Sequence, residues 1–355
     1  MRHKHDTSYH RLAETTPGRS ASETVHAPLL LHFAEVVEQY GGNPLALLAQ
    51  VGISPEVLAG HPVTYRQIAE LLECAASVLD CPDFGMMLAK RQCEHGIVGP
   101  LGEVMRHARS FGEVLELAVR HSYAHSLASH TWLRRSGPGG AILFGHDIVL
   151  EGLASASQVI EQILLVGHLT AIRLTGGAVR ARRILLRHPQ LSSRETYRRY
   201  FGCEVRCDAR VNATAYWQRD LTCPIESADQ PAYRQELAAV EHRFAQKQLP
   251  LSRSVRGALL LRLDDRECDG EWIARALGLH IRTLRRHLAR EGTSLRRIRD
   301  EVRRDMAGYY LRDTHLDIRA ISERLGFSEQ SALARRAQAW FGCSPSALRG
   351  QNEKP

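Results

Sequence analysis

The chain has 355 residues, 44% hydrophobic and 24% charged, and its 47 lysines and arginines against 39 aspartates and glutamates give a formal charge of +8. That length is too great for one small core and predicts two domains, and the composition is that of an ordinary water-soluble globular chain. No apolar run of about 18 residues is available to span a membrane.

Residues 1–27 are polar, lack the apolar stretch of a secretory signal and read as a disordered tail, with His3, His5 and His10 as tail composition. Without an export signal, the eight scattered cysteines are expected to be reduced in the cytoplasm. From Leu29 to about Leu115 apolar residues recur at three- and four-residue steps, which predicts amphipathic helices. One starts near Thr64, and another opens at Ser110 with Glu113 three residues later, a capping-box spacing. The period then changes. "SLASHTWLRR" and "AILFGHDIVL" flank the glycine-rich "SGPGG", which predicts a β-hairpin. A long helix is expected over Leu153–Arg173, then a short buried strand at "RRILLRHP", a helix ending in a turn at Gly202, and one or two further strands. Residues 28–225 thus read as an α+β domain, and 226–250 as a linker helix ending at Pro250.

Residues 251–350 read as an all-α domain, followed by a short tail at 351–355. Residues 1–250 are nearly neutral, with 26 basic and 25 acidic side chains, whereas 251–355 carry 21 and 14. A basic domain beside a neutral one favours a polyanion as that domain's partner, and all but one of its cations are arginines, whose planar fork suits phosphate and guanine.

Within this region one pattern repeats. "IARALGLHIRTLRRHL" and "ISERLGFSEQSALARRA" share an apolar helix, a Leu-Gly-apolar turn and a second helix, with Leu277-Gly278 and Leu325-Gly326 lying 48 residues apart. A glycine permits the left-handed backbone of such a turn, and a helix-turn-helix places its second helix in the major groove. In the first copy Ile281, Leu284 and Leu288 fall on one face, and Arg282, Arg285 and Arg286 on the opposite one, with Arg290 a turn later. A solvated surface helix could carry the same charges. Two copies joined by one long helix over "SLRRIRDEVRRDMAGYYLRD", in the only basic region, favour double-stranded DNA.

Residues 251–350 resemble the AraC/XylS family of bacterial transcription regulators, through "EWIARALGLHIRTLRRHLAREGTSL", "DEVRRDMAGYYL" and "ISERLGFSEQSALARRAQAWFGCSPSALR". The first domain is similar to the arabinose-binding-like N-terminal domain of the OruR/ArgR-type subgroup, through "GGNPLALLAQVGISPEVL", "CPDFGMMLAK", "GPLGEVMRHARSFGEVLELAVRH" and "YRRYFGCEVRCDARVNATAYWQRDLTCPI". The resemblance implies a transcription activator that binds promoter DNA, senses a small-molecule effector through the first domain, forms a homodimer and contacts RNA polymerase. It implies that the first recognition helix presents Ile281, Arg282, Arg285 and Arg286, and the second Gln330, Ser331, Ala334 and Arg335. Arginine at such a site typically reads guanine, and glutamine can read adenine. Leu333 and Ala337 stand where the family packs phenylalanines and Ser322 where it has alanine, which predicts a looser second copy. His280 replaces a common capping serine, which predicts a weaker helix start.

His121, Tyr123, His125 and His130 lie near a helix–strand junction and either line an effector pocket or sit at a wet edge, the second being favoured. Cys203, Cys207 and Cys223 read as buried thiols rather than a metal or redox site. No nucleophile elbow, phosphate-binding loop, zinc-protease helix or dinucleotide fingerprint is present, so neither an enzyme nor a cofactor is expected. The alternative within the DNA-binding class is an effector-independent binder whose first domain only oligomerises.

Overall fold

The computed structural model describes residues 23–25, 28–94, 96, 99–135, 140–150, 153, 156–244, 250–264 and 268–350. The expected hairpin turn at 136–139, the end of the linker helix at 245–249, most of the N-terminal tail and the tail at 351–355 lie outside these residues. One part of the expected tail is structured. Thr24–Val25 (β1) pairs antiparallel with Val63–Thr64 (β2), because Val25 is apolar enough to bury and the Ser126 hydroxyl donates to the Thr24 carbonyl at 2.9 Å.

The first domain begins with four helices, α1 (Phe33–Gln39), α2 (Pro44–Gln50), α3 (Tyr65–Val78) and α4 (Phe84–Cys93). Asn43 caps α2, and Thr64 with Gln67 forms a full capping box at α3. Short α5 (Gly102–Arg106) leads to α6 (Phe111–Arg120). Ser110 caps α6 by accepting from the Glu113 amide, but the Glu113 carboxylate turns back to the Arg109 amide, at 2.6 Å, rather than closing the box on Ser110.

The hairpin follows as β3 (Ser129–Arg135) and β4 (Ala141–Ile148), and then comes α7 (Ser157–Leu174). That helix starts four residues later than expected, Leu153 being non-helical. Next come β5 (Arg183–Leu185), α8 (Arg194–Phe201), β6 (Glu204–Arg206) and β7 (Ala213–Trp217). The strands form one sheet in the order β3-β4-β7-β5-β6, antiparallel except for β5 with β6. Alternation sends Thr131, Leu133, Phe144, His146 and Tyr216 to one face, towards α6 and α7, where they meet a core of Phe111, Leu164 and Ile184. Helices α4 and α7 close tightly because Gly85 has no side chain: a Cβ there would stand 2.1 Å from the Gln158 carbonyl oxygen. Helix α9 (Gln230–Arg243) lies against this domain, burying Val240 with Leu101, Val104 and Leu117.

The second domain comprises α10 (Leu251–Leu261), α11 (Gly270–Ala276), α12 (Ile281–Arg290), the long α13 (Leu295–Asp313), α14 (Ile318–Arg324), α15 (Gln330–Phe341) and α16 (Pro345–Gly350). Among its described residues there is no strand. It docks on the outer face of the sheet. Leu261 of α10 joins a cluster of Trp132, Leu143, Val211, Ala213 and Ala215, and Gly257 lies so close to the His130 imidazole that a Cβ would stand 2.4 Å from it. Arg253 donates to the Leu127 carbonyl at 2.8 Å, and Arg324 to that of Asp208 at 2.8 Å. Beneath this contact the Asp147 carboxylate accepts from the Trp132 indole at 2.8 Å and faces Arg187 at 3.1 Å.

Candidate nucleic-acid interface

Helices α11 and α12 form the first helix-turn-helix, and α14 and α15 the second. Gly278 and Gly326 hold the turns at φ 67° and 69°, in the left-handed region that favours glycine. At Gly326 a side chain is excluded twice over, since a Cβ would also stand 2.3 Å from the Leu263 carbonyl oxygen. His280 does cap α12, its Nδ1 accepting from the Arg282 amide at 3.2 Å, so imidazole substitutes for the expected hydroxyl. In α15 Leu333 and Ala337 are fully buried, and the Ser322 hydroxyl is satisfied by the Glu329 carbonyl at 3.2 Å. Smaller side chains there do not leave those positions open.

The same arginine-rich composition serves two purposes. One set holds the domain together: Arg303 of α13 donates to the carbonyls of Leu325 at 2.9 Å and Gly326 at 3.1 Å, Arg299 to that of Cys268, and Arg349 to that of Leu316. Arg256 pairs with Asp305, and Arg336 with Asp300 at 3.3 Å. The other set projects outward. Arg282, Arg285, Arg286 and Arg290 of α12 and Arg335 of α15 are exposed, and no ion pair to them occurs among the described residues. Gln330, Ser331 and Ala334 are exposed beside Arg335, with the Ser331 hydroxyl donating to the Glu329 carboxylate at 2.9 Å. Ile281 is the exception among the expected contact residues. It is buried in the domain core with Leu284 and Leu288, because its spacing to those leucines puts it on the docking stripe of α12. Two helices thus offer unpaired guanidinium groups from rigid backbones, a geometry suited to base edges and phosphates.

The histidine-rich segment divides. His121 and Tyr123 bond each other at 2.9 Å and face α9, with Glu241 3.9 Å from His121 and the Phe244 ring 6.5 Å from that of Tyr123. His130 lies on the outer sheet face against Gly257. His125 alone of the four lines a cavity of about 160 Å³ between the inner sheet face and helices α6 and α7. There the Tyr65 hydroxyl lies 2.6 Å from His125 Nε2 and 3.0 Å from His146 Nε2, while Thr131 Oγ1 lies 3.3 Å from His146 Nδ1. Tyr65 has a single proton to donate, so at least one of the two imidazoles donates its own N–H to the phenol oxygen. Burial, with the neighbouring His125 and His130, holds His146 well below the ordinary histidine range, and burial likewise pushes Tyr65 up. Cys203 and Cys207 are half-buried against the first-domain core, and burial pushes both thiols up to about 11.

Residues 41–225 match the model of the "Arabinose-binding domain of AraC transcription regulator, N-term", and residues 273–351 that of a helix-turn-helix domain. The chain belongs to the AraC family of transcription regulators. It is similar to the HTH-type transcriptional regulator VirS of Mycobacterium tuberculosis, at 32% identity over 92% of this chain and 96% of that one. It is also similar to the ornithine utilization regulator of Pseudomonas aeruginosa, at 27% identity over 89% of this chain and 93% of that protein. Among solved structures, the transcriptional regulator CdpR of Pseudomonas aeruginosa aligns over 86% of this chain and 96% of its own, at 23% identity and a TM-score of 0.40. The regulator is therefore a DNA-binding AraC-family protein with an arabinose-binding-like first domain. Among the described residues no helix is long and apolar enough to cross a membrane.

Proposed function

We propose that the regulator activates transcription in the cytoplasm by inserting α12 and α15 into successive major grooves of promoter DNA, under the control of a small molecule held in the first domain. The observation that carries this reading is the pair of exposed, unpaired arginine-bearing helices in two helix-turn-helix units fixed to one long helix, α13. Arg282, Arg285, Arg286, Gln330, Ser331 and Arg335 are the DNA-contacting side chains; Ile281 acts from behind by docking α12. Two units on a rigid spacer ask for two half-sites about one helical turn, ~34 Å, apart.

The effector acts by differential affinity for DNA-competent and incompetent states. Its site is the cavity on the inner sheet face, and the outer face of that sheet carries the DNA-binding domain, so β4 touches both. As the family resemblance implies, the regulator works as a homodimer and contacts RNA polymerase. Genome-wide occupancy in the native host tests the reading: discrete peaks sharing a two-half-site motif, with occupancy or transcription that changes with an effector, are expected. Diffuse occupancy without a motif would overturn it, and motif binding that no small molecule alters would leave a first domain that only oligomerises.

A further inference from the structure

The cavity's lining restricts what it can hold. Helix α7 turns Ile163, Leu164, Gly167, Thr170 and Ala171 towards it, a stripe at helical spacing, and Phe111, Phe144 and Tyr216 close it from α6 and the sheet. Among the described residues no lysine, arginine, aspartate or glutamate lines it, and its polar side chains are hydroxyls and the imidazoles of His125 and His146. An ion entering such a site loses its hydration without gaining a counter-charge, and a sugar buries more hydroxyls than the few donors and acceptors there can satisfy.

A second observation concerns Gly167. It sits in the middle of α7, where glycine weakens a helix by roughly 0.5–1 kcal/mol relative to alanine, and no positive φ requires it. A Cβ at this position would meet nothing within 4 Å. The absent side chain therefore leaves room in the cavity rather than permitting a close backbone contact. An apolar cavity of about 150 Å³ can accept a benzene ring, and at about 160 Å³ this one is of single-ring size.

Resting on the effector reading above, we infer that the cavity binds a compact, uncharged, mostly apolar molecule of single-ring size, whose one hydrogen-bonding group meets the Tyr65–His125–His146–Thr131 cluster. The ring packs against Phe111, Phe144 and Tyr216 beside Gly167, and the polar group lies at the imidazole end. Despite the arabinose-binding description of the domain, the ligand is neither a sugar nor a charged amino acid.

Thermal unfolding and calorimetric titration of the full chain test this with benzyl alcohol, cyclohexanol, toluene, benzoate, L-arabinose and L-ornithine. Benzyl alcohol and cyclohexanol should raise the midpoint in a saturable way, toluene should bind several-fold more weakly, and the charged and sugar probes should have no effect. Gly167→Leu should fold with an unchanged or higher midpoint and lose the benzyl alcohol response at least tenfold, while Gly167→Ala keeps most of it. No saturable response to either alcohol, or a response to arabinose, ornithine or benzoate, overturns the inference. So does undiminished binding by a folded Gly167→Leu protein. If an alcohol binds but leaves DNA affinity unchanged, the cavity assignment stands and the effector reading fails. If a charged molecule or a sugar controls DNA binding, the effector reading stands and this ligand class fails.

Discussion

Arg285→Ala separates DNA reading from domain architecture. Arg285 is exposed on α12, takes part in no ion pair among the described residues, and points away from the stripe of Ile281, Leu284 and Leu288, which are 9%, 0% and 1% exposed. Its truncation removes no core contact, and alanine is at least as good a helix former, so stability should change by less than about 0.5 kcal/mol. In a domain of this size that is a midpoint shift under about 4 °C. A bidentate contact to guanine, in contrast, contributes about 1–3 kcal/mol of discrimination, or roughly 5- to 140-fold in affinity. Fluorescence anisotropy against an operator and its single-base-pair variants, at several salt concentrations, measures both terms. The expected result is a loss confined to one base pair: once that pair is changed, wild type and variant should bind alike. A uniform loss on all sequences, with the salt slope falling by about 0.9, would show that Arg285 meets only phosphate and would refute base reading. A midpoint drop of 10 °C would refute the placement itself.

Gly326→Ala should unfold or distort the second helix-turn-helix, because the new methyl meets the Leu263 carbonyl oxygen at 2.3 Å and the backbone is at φ 69°. Circular dichroism melts should show destabilisation of at least about 1–3 kcal/mol, larger than for Gly278→Ala, where φ is 67° but the space is open. The pH dependence of stability should carry the signature of Glu161, which accepts from the Tyr197 hydroxyl at 2.5 Å and is pushed up to about 8 by burial. A raised folded-state pKa means that the unfolded chain releases this proton first. The Glu161 contribution is therefore full below about 4.5 and declines as pH rises towards 8, by up to roughly 4–5 kcal/mol. Glu161→Gln should flatten that decline in urea melts between pH 5 and 9, and an unchanged slope would exclude Glu161 as its source. His168 and His188, both held down to about 4 by burial, oppose it on the acid side: their contribution is present above the ordinary histidine range and is lost as pH falls through 4.

Where local periodicity decided an element, the residues were readable in order. The Ile281–Leu284–Leu288 spacing, the two Leu-Gly turns and the β3–β4 alternation are short-range signals, and the helices and the hairpin stand where those signals lie. Ile281 shows the same rule from the other side, since its spacing already placed it inward although the family pattern put it on the reading face. The cavity carried no such signal. Tyr65 lies 60 residues before His125 and 81 before His146, and only the packing of α3 against the hairpin brings the three together. The cluster His121–Tyr123–His125 looked like one unit, but the short helical turn after α6 sends the first two towards α9 and only the third into the cavity. Nor does the arginine count distinguish Arg303, which ties down a turn, from Arg285, which projects free.

Most antiparallel strands on a protein surface have one wet face, where sequence drifts freely. β4 has none: Phe144 and His146 look into the cavity, while Leu143 and Asp147 look towards the DNA-binding domain, with Gly145 between them accommodating the Trp132 indole. A one-residue slip would exchange these two sets, carrying a buried carboxylate into an apolar chamber and an imidazole into an apolar seam. The strand's length and phase are therefore fixed from both sides. Shuffling first domains among such regulators by cutting at the linker alone would break this fit, since half of the side chains of β4 are matched to the DNA-binding domain that is kept.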